Sequence, residues 1–262
     1  MRSKIRLGLL LAGLVLVWVS LPGTSVAAGS SCSNGGNWFA GYDTNYSNSR
    51  WGSRATIEYN NPDLCGNDTS GPSASTAWVM ISGPSQQVGQ DDYAQSGYGQ
   101  FADGSTQSSP GFHTFVQWTS ACFHTHSCGS NLSRHTMFEP APTGASVYRV
   151  SYRGGPGDDQ HFHMYRDGGY IDETNYNPVT VWTGTWRNSF EGEALHAATD
   201  VVGTADDPTR FTGVSNQNSA NPTWTTISNS SLDPSTPSTT RYHKEKYAPS
   251  DFRIWTNPLT YP

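Results

Sequence analysis

Beyond residue 27, no segment of this 262-residue chain keeps apolar residues at helical period for three turns. A long helix without an apolar stripe has no face to bury, so the core must come from strands. Short runs of period two recur instead, rich in aromatic and β-branched residues and cut by Gly, Pro, Asn and Asp clusters. They predict strands at 54–59, 76–82, 93–101, 112–120, 146–153, 160–166, 169–174, 185–196, 210–217, 224–228, 241–247 and 252–256. In the second, Ala77, Val79 and Ile81 oppose Trp78 and Met80, so both faces are apolar and the strand is central. In the fifth, Tyr148, Val150 and Tyr152 oppose Arg149 and Ser151, as in a half-buried strand. Arg166-Asp167-Gly168-Gly169 reads as a hairpin turn. This is an all-β pattern, an antiparallel β-sandwich.

Composition narrows the class. Charged residues are 14% of the chain, below the roughly 25% of ordinary domains, yet 9 Trp, 13 Tyr and 10 Phe supply more apolar surface than a disordered chain carries. A mean hydropathy of −0.57 excludes a multi-span membrane protein. At the N-terminus, Arg2, Lys4 and Arg6 precede an apolar run from Leu7 to Leu21, then Pro22, Gly23 and small residues at Ser25-Val26-Ala27. That is the pattern of a secretory signal peptide over residues 1–27, with a single domain over 28–262. Cleavage after Ala27 takes the formal charge from −6 to −9. A Lys-poor, anionic surface predicts no nucleic-acid partner, no membrane association after cleavage, and an extracellular location.

Four cysteines remain in the mature chain: Cys32, Cys65, Cys122 and Cys128. In an exported protein they read as two disulfides with three possible connectivities. Pairing Cys122 with Cys128 and Cys32 with Cys65 needs no long-range assumption.

Polar residues inside apolar strands mark candidate chemistry. Gln95 shares a strand face with Tyr93, Gly97 and Gly99, and the glycines leave room above it. Glu191 and Glu193 share a face roughly 6.5–7 Å apart along their strand. At that spacing each raises the other's pKa, and the pair can supply an acid and a base. The same pattern also suits an exposed edge strand carrying two solvated glutamates.

The stretch Tyr93–Tyr98, then Phe115-Val116-Gln117-Trp118-Thr119, then the Cys122–Cys128 loop, resembles the central block of the neprosin family of secreted glutamic peptidases. Gly192-Glu193 resembles that family's second motif. Trp78-Val79-Met80-Ile81 is similar to a Trp-Val-Gly-Ile segment of the eqolisins, fungal glutamic peptidases with a Gln/Glu dyad. Where neprosin carries its first glutamate this chain has Gln95, as an eqolisin does. The resemblance spans about residues 77–217 and implies a concanavalin-like jelly roll and a secreted endopeptidase working at acidic pH. It implies Glu193 as general base and acid, Gln95 as oxyanion donor and Glu191 as the neighbour that raises the pKa of Glu193. Tyr93, Tyr98, Gln117, Trp118, Trp182 and Trp186 are the expected binding residues for an extended polypeptide. The short Cys-to-Cys loop of the family supports the Cys122–Cys128 pairing. No metal or cofactor is required by this chemistry.

Other classes fit less of the sequence. His124 and His126, and His161 and His163 after Asp158 and Asp159, lie two apart as metal ligands can. However, His161, His163 and Tyr165 also read as the wet face of a strand whose Phe162 and Met164 point inward. A laminarinase-type glycosidase needs three acids at alternate positions, and after Glu191 and Glu193 the third position is Leu195. The remaining alternative is a non-catalytic sandwich whose Trp182, Trp186 and Trp224 stack sugars or hold polypeptide.

Overall fold

The computed structural model describes residues 35–62, 64, 74–84, 91–101, 111–119, 134–182, 185–196, 199–220, 223–235 and 241–257. The expected signal segment and all four cysteines lie outside them. Two antiparallel sheets form the fold. The first holds β1 (Gly35–Asp43), β3 (Ala74–Pro84), β4 (Asp91–Phe101), β5 (Gly111–Thr119), β6 (Arg134–Pro140), β10 (Arg187–His196) and β13 (Asp233–Pro234), in the order β13-β1-β10-β3-β4-β5-β6. The second holds β2 (Gly52–Ile57), β7 (Ser146–Tyr152), β8 (Phe162–Arg166), β9 (Gly169–Glu173), β11 (Thr209–Gln217), β14 (Tyr242–Ala248) and β15 (Asp251–Thr256), in the order β14-β15-β11-β2-β7-β8-β9. A short β12 (Trp224–Thr226) pairs with β11. Helix among the described residues is one turn, α1 (Pro178–Val181), capped by Asn177, and a 3-10 turn at Asn229–Ser231.

All twelve sequence-predicted strands are present, with ends within two residues of those expected. β3 is central, as its two apolar faces require. Ala77, Val79 and Ile81 join Ala94, Val116, Phe190, Tyr148, Val150, Phe162 and Phe211 in the inter-sheet core. Trp78 belongs instead to a smaller cluster with Phe101 and Phe115 on the outer face of the first sheet. The Asp167-Gly168 turn takes φ of 49° and 82°, both left-handed, as a tight hairpin between right-twisted strands demands.

Three strands escaped the sequence reading: β1, β6 and the two-residue β13. In β1, Gly35, Gly36 and Gly41 resemble a loop. Gly41 is there for space, because a Cβ would come 2.2 Å from the Phe190 carbonyl oxygen and 2.8 Å from Cγ of Glu191. The obstructing atom is backbone, which cannot step aside. Gly41→Ala is therefore expected to destabilise by about 3 kcal/mol, at the upper end of overpacking costs, as urea denaturation would read.

Candidate active site on the outer face of the first sheet

Register fixes which side chains meet. Across β1, β10, β3, β4 and β5 one row reads Gly41, Glu191, Trp78, Gly97, Phe115. The next reads Asp43, Ser189, Met80, Gln95, Gln117. On the other side of the first row lie Phe39, Glu193, Thr76, Gly99 and His113. Side chains in one row point the same way, and residues two apart on a strand do too. Gln95, Gln117, Tyr93, Glu191, Glu193 and Asp43 thus share the face turned away from the core. β10 runs between β1 and β3, so the glutamates do not sit on an edge strand.

Gln95 and Glu191 are separated by one strand and one step along the chain, roughly 12 Å between Cα atoms by ideal sheet spacing. Glu193 is a further step away, roughly 17 Å from Gln95 by the same spacing. Glycines flank the Glu191–Trp78 pair on both sides. A Cβ at Gly97 would meet the Ala77 carbonyl at 2.1 Å and Trp78 Cβ at 2.7 Å. Small residues at Gly41 and Gly97 let the large ones between them lie flat across the sheet.

The two glutamates have different surroundings. Glu191 is 5% exposed. Burial first, then the charge and hydrogen bond of Asp43, and then the charge of Glu193 push its carboxyl well above the usual range, with Arg187 pulling the other way. Asp43 comes from β1, diagonally across from Glu191. Its Oδ2 accepts from Arg187 Nη1 at 3.4 Å, while its buried Oδ1 has no N–H donor. The hydrogen bond between the two carboxyls favours the protonated form of Glu191, in line with the raised pKa. Glu193 is only half-buried, and its Oε2 accepts from the Trp78 indole N–H at 3.2 Å.

Gln95, 6% exposed, is held from the other side. Its Nε2 donates to Gln117 Oε1 at 3.0 Å, which also accepts from the Tyr93 hydroxyl at 2.8 Å. Gln117 Nε2 in turn donates to Thr136 at 3.0 Å. Of the residues expected to bind ligand, Tyr93 and Gln117 are on this face and orient Gln95. The other four are elsewhere. Tyr98 and Trp118 point into the inter-sheet core opposite Ala77 and Ala94. Trp182 and Trp186 pack on Phe162 in that core, each under a tenth exposed, and line a surface depression with Ser47, Asn48, Trp51 and Val179. Trp224 lies under the Arg54 guanidinium on the second sheet. Large apolar rings next to a core are drawn into it, and the period-two pattern alone does not say which face is the inner one.

Asp43 is the residue of this constellation that sequence reasoning missed. Its only signal was alternation in Trp38–Asp43, masked by glycine. Asp43→Asn removes a like charge beside Glu191, so the pKa of Glu191 falls. If Glu191 does the chemistry, the inflection it sets in a pH–rate profile moves to lower pH, as initial rates measured across pH 3 to 8 would show.

No family model matches the sequence, and no curated protein matches it either. Among solved structures, scytalido-glutamic peptidase with a transition state analog inhibitor aligns with a TM-score of 0.50 at 12% identity, over 85% of this chain and 100% of that one. SCP-B, a member of the eqolisin family of peptidases in complex with the tripeptide Ala-Ile-His, gives 0.48 at 13% identity over the same shares. A glycoside hydrolase family 16 endo-glucanase from Bacteroides ovatus gives 0.34 at 10% identity over 58% of each chain. What this protein shares with scytalido-glutamic peptidase is the fold: two antiparallel β-sheets packed as a glutamic-peptidase-like sandwich.

Proposed function

We propose that the protein is a secreted endopeptidase of the glutamic type, with Gln95 and Glu191 as its catalytic pair. One observation carries this: a glutamate whose pKa is raised by burial and then by a second carboxyl shares a sheet face with a fixed glutamine amide across one intervening strand. In this reading Glu191, not Glu193, does the acid–base work. As a carboxylate it takes a proton from the water attacking the scissile carbonyl, and as the acid it returns that proton to the departing amine. A pKa lifted toward the working pH serves both half-steps. The Gln95 amide N–H not engaged by Gln117 steadies the oxyanion of the tetrahedral intermediate. Glu193, tethered to Trp78, adds negative charge that keeps Glu191 basic. The fold shared with scytalido-glutamic peptidase supports an extended polypeptide as substrate.

The test is digestion of unfolded casein by the purified protein between pH 3 and 8, with EDTA and with serine- and cysteine-directed inhibitors present. Cleavage that survives all three supports the assignment. No cleavage anywhere in that range ends it and leaves a non-catalytic sandwich that binds polypeptide or carbohydrate.

A further inference from the structure

We propose that the β8–β9 hairpin carries a binding site for a first-row divalent cation of the zinc class, built from Asp159, His163 and Glu173. The site is independent of the peptidase reading. His163 and Glu173 are cross-strand partners on the outer face of the second sheet, on the opposite side of the sandwich from Gln95 and Glu191. Phe162 and Met164 fill the core beneath them.

Three carboxylate oxygens converge on one nitrogen. Asp159 Oδ1 and Oδ2 are both 2.8 Å from His163 Nε2, and Glu173 Oε2 is 3.2 Å from it. An imidazole nitrogen carries at most one proton, whether the ring is neutral or charged. A single N–H cannot serve three oxygens. Asp159 Oδ1 also accepts from the His161 backbone N–H at 3.3 Å, and the Tyr170 hydroxyl hydrogen-bonds Glu173. These neutral donors leave two carboxylates that repel where they are drawn together. Among the described residues neither Asp159 nor Glu173 is ion-paired with Lys or Arg; the nearby Arg153 pairs with Asp158 instead. A divalent cation resolves both problems, taking the Nε2 lone pair and neutralising the two charges. Ligands at about 2.0–2.2 Å from a tetrahedral ion stand roughly 3.3–3.6 Å apart. That is a few tenths of an ångström wider than the 2.8 and 3.2 Å contacts found here, a gap that small side-chain rotations close. One donor atom from each of the three residues lies within 4.8 Å of the others.

A second observation points the same way. Nδ1 of His161 is buried without a hydrogen-bond partner, 3.5 Å from the other Glu173 oxygen, Oε1. A histidine beside a ligating carboxylate is suited to orient it as a positioning residue. Mixed nitrogen and oxygen donors favour zinc-class ions over calcium or magnesium, which take oxygen alone. β9 is the last strand of its sheet, so the ion would pin an edge strand to the loop before β8.

The experiment is zinc titration of tag-free protein against a chromophoric chelator, with cobalt absorption reporting the ligand set. One zinc per chain is expected, bound at micromolar concentration or tighter. Removing a ligand by His163→Ala or Glu173→Gln is expected to weaken binding by at least about 30-fold, and His161→Gln by about tenfold, in the range for residues that orient a ligand. Glu173→Gln preserves shape and keeps the test sound if His163→Ala unfolds. Absence of saturable binding up to about 100 μM zinc, a concentration that fills any specific micromolar site, overturns the proposal. So does equal affinity in both ligand variants and wild type, because the metal then sits elsewhere.

Discussion

Glu191→Gln is expected to abolish casein hydrolysis and, at the same time, to make the protein more stable above about pH 5, past the ordinary glutamate pKa. The loss of activity follows from removing the group assigned to accept and return the proton, and it should exceed about 10³-fold, within the range of general acid–base effects. The gain in stability follows from linkage. The native carboxyl titrates above the unfolded one, so between the two pKa values the folded state binds more protons than the unfolded state. Stability contributed by Glu191 is intact below the unfolded pKa and declines as pH rises through the native value. Each unit by which the native pKa exceeds the unfolded one is worth about 1.4 kcal/mol of that decline. A glutamine does not titrate, and its amide offers a donor beside Asp43 with no charge to bury. Thermal unfolding of both proteins should therefore coincide near pH 4 and separate at pH 8, with the variant higher. Glu193→Gln is the control. Its activity should stay within about tenfold of wild type, as for a neighbour that acts by charge alone. If Glu193→Gln is dead and Glu191→Gln is active, the two residues exchange roles.

The sequence shows most of the framework because alternation is what a half-buried strand needs. In Ser146–Tyr152 the apolar set Tyr148, Val150 and Tyr152 could face only the core, and it does. β6 escaped because it is the edge of its sheet. With Met137 46% exposed, its residues were never sorted by burial. The shared faces of Glu191 with Glu193 and of Gln95 with Tyr93 were legible for the same period-two reason. The order of strands was not. β10 joins the sheet beside β3, far from it in sequence, and no local pattern encodes that neighbour. Hence the choice between Glu191 and Glu193 needed the register, and Asp43 needed β1 to be seen as a strand. The burial of the tryptophans was not legible for a different reason. Trp118 and Trp186 carry the same side chain whether a site or a core surrounds them, so identity alone does not distinguish the two.

Gln95→Ala is expected to lower kcat by about 10²–10³ with little change in KM, the size found for loss of one oxyanion donor. The amide meets charge only as the tetrahedral intermediate forms, so its removal is felt in the transition state and hardly in binding. The hydrogen bond to Gln117 Oε1 keeps the amide in one orientation, and that acceptor is fixed in turn by Tyr93 and Thr136. Gln95→Glu asks a sharper question. An ionised carboxylate at this position would face the Gln117 oxygen with no hydrogen to offer, and it would repel the oxyanion it must stabilise. When protonated, it can donate to one of them. The variant should therefore keep measurable turnover only at the acid end of the profile and lose it as the introduced carboxyl ionises, so its alkaline limb falls at lower pH than in wild type. Rates for both variants between pH 3 and 8 decide the point. If Gln95→Ala retains wild-type kcat, or if Gln95→Glu is as active at pH 7 as at pH 4, then Gln95 donates nothing to the reaction and the pair is not catalytic.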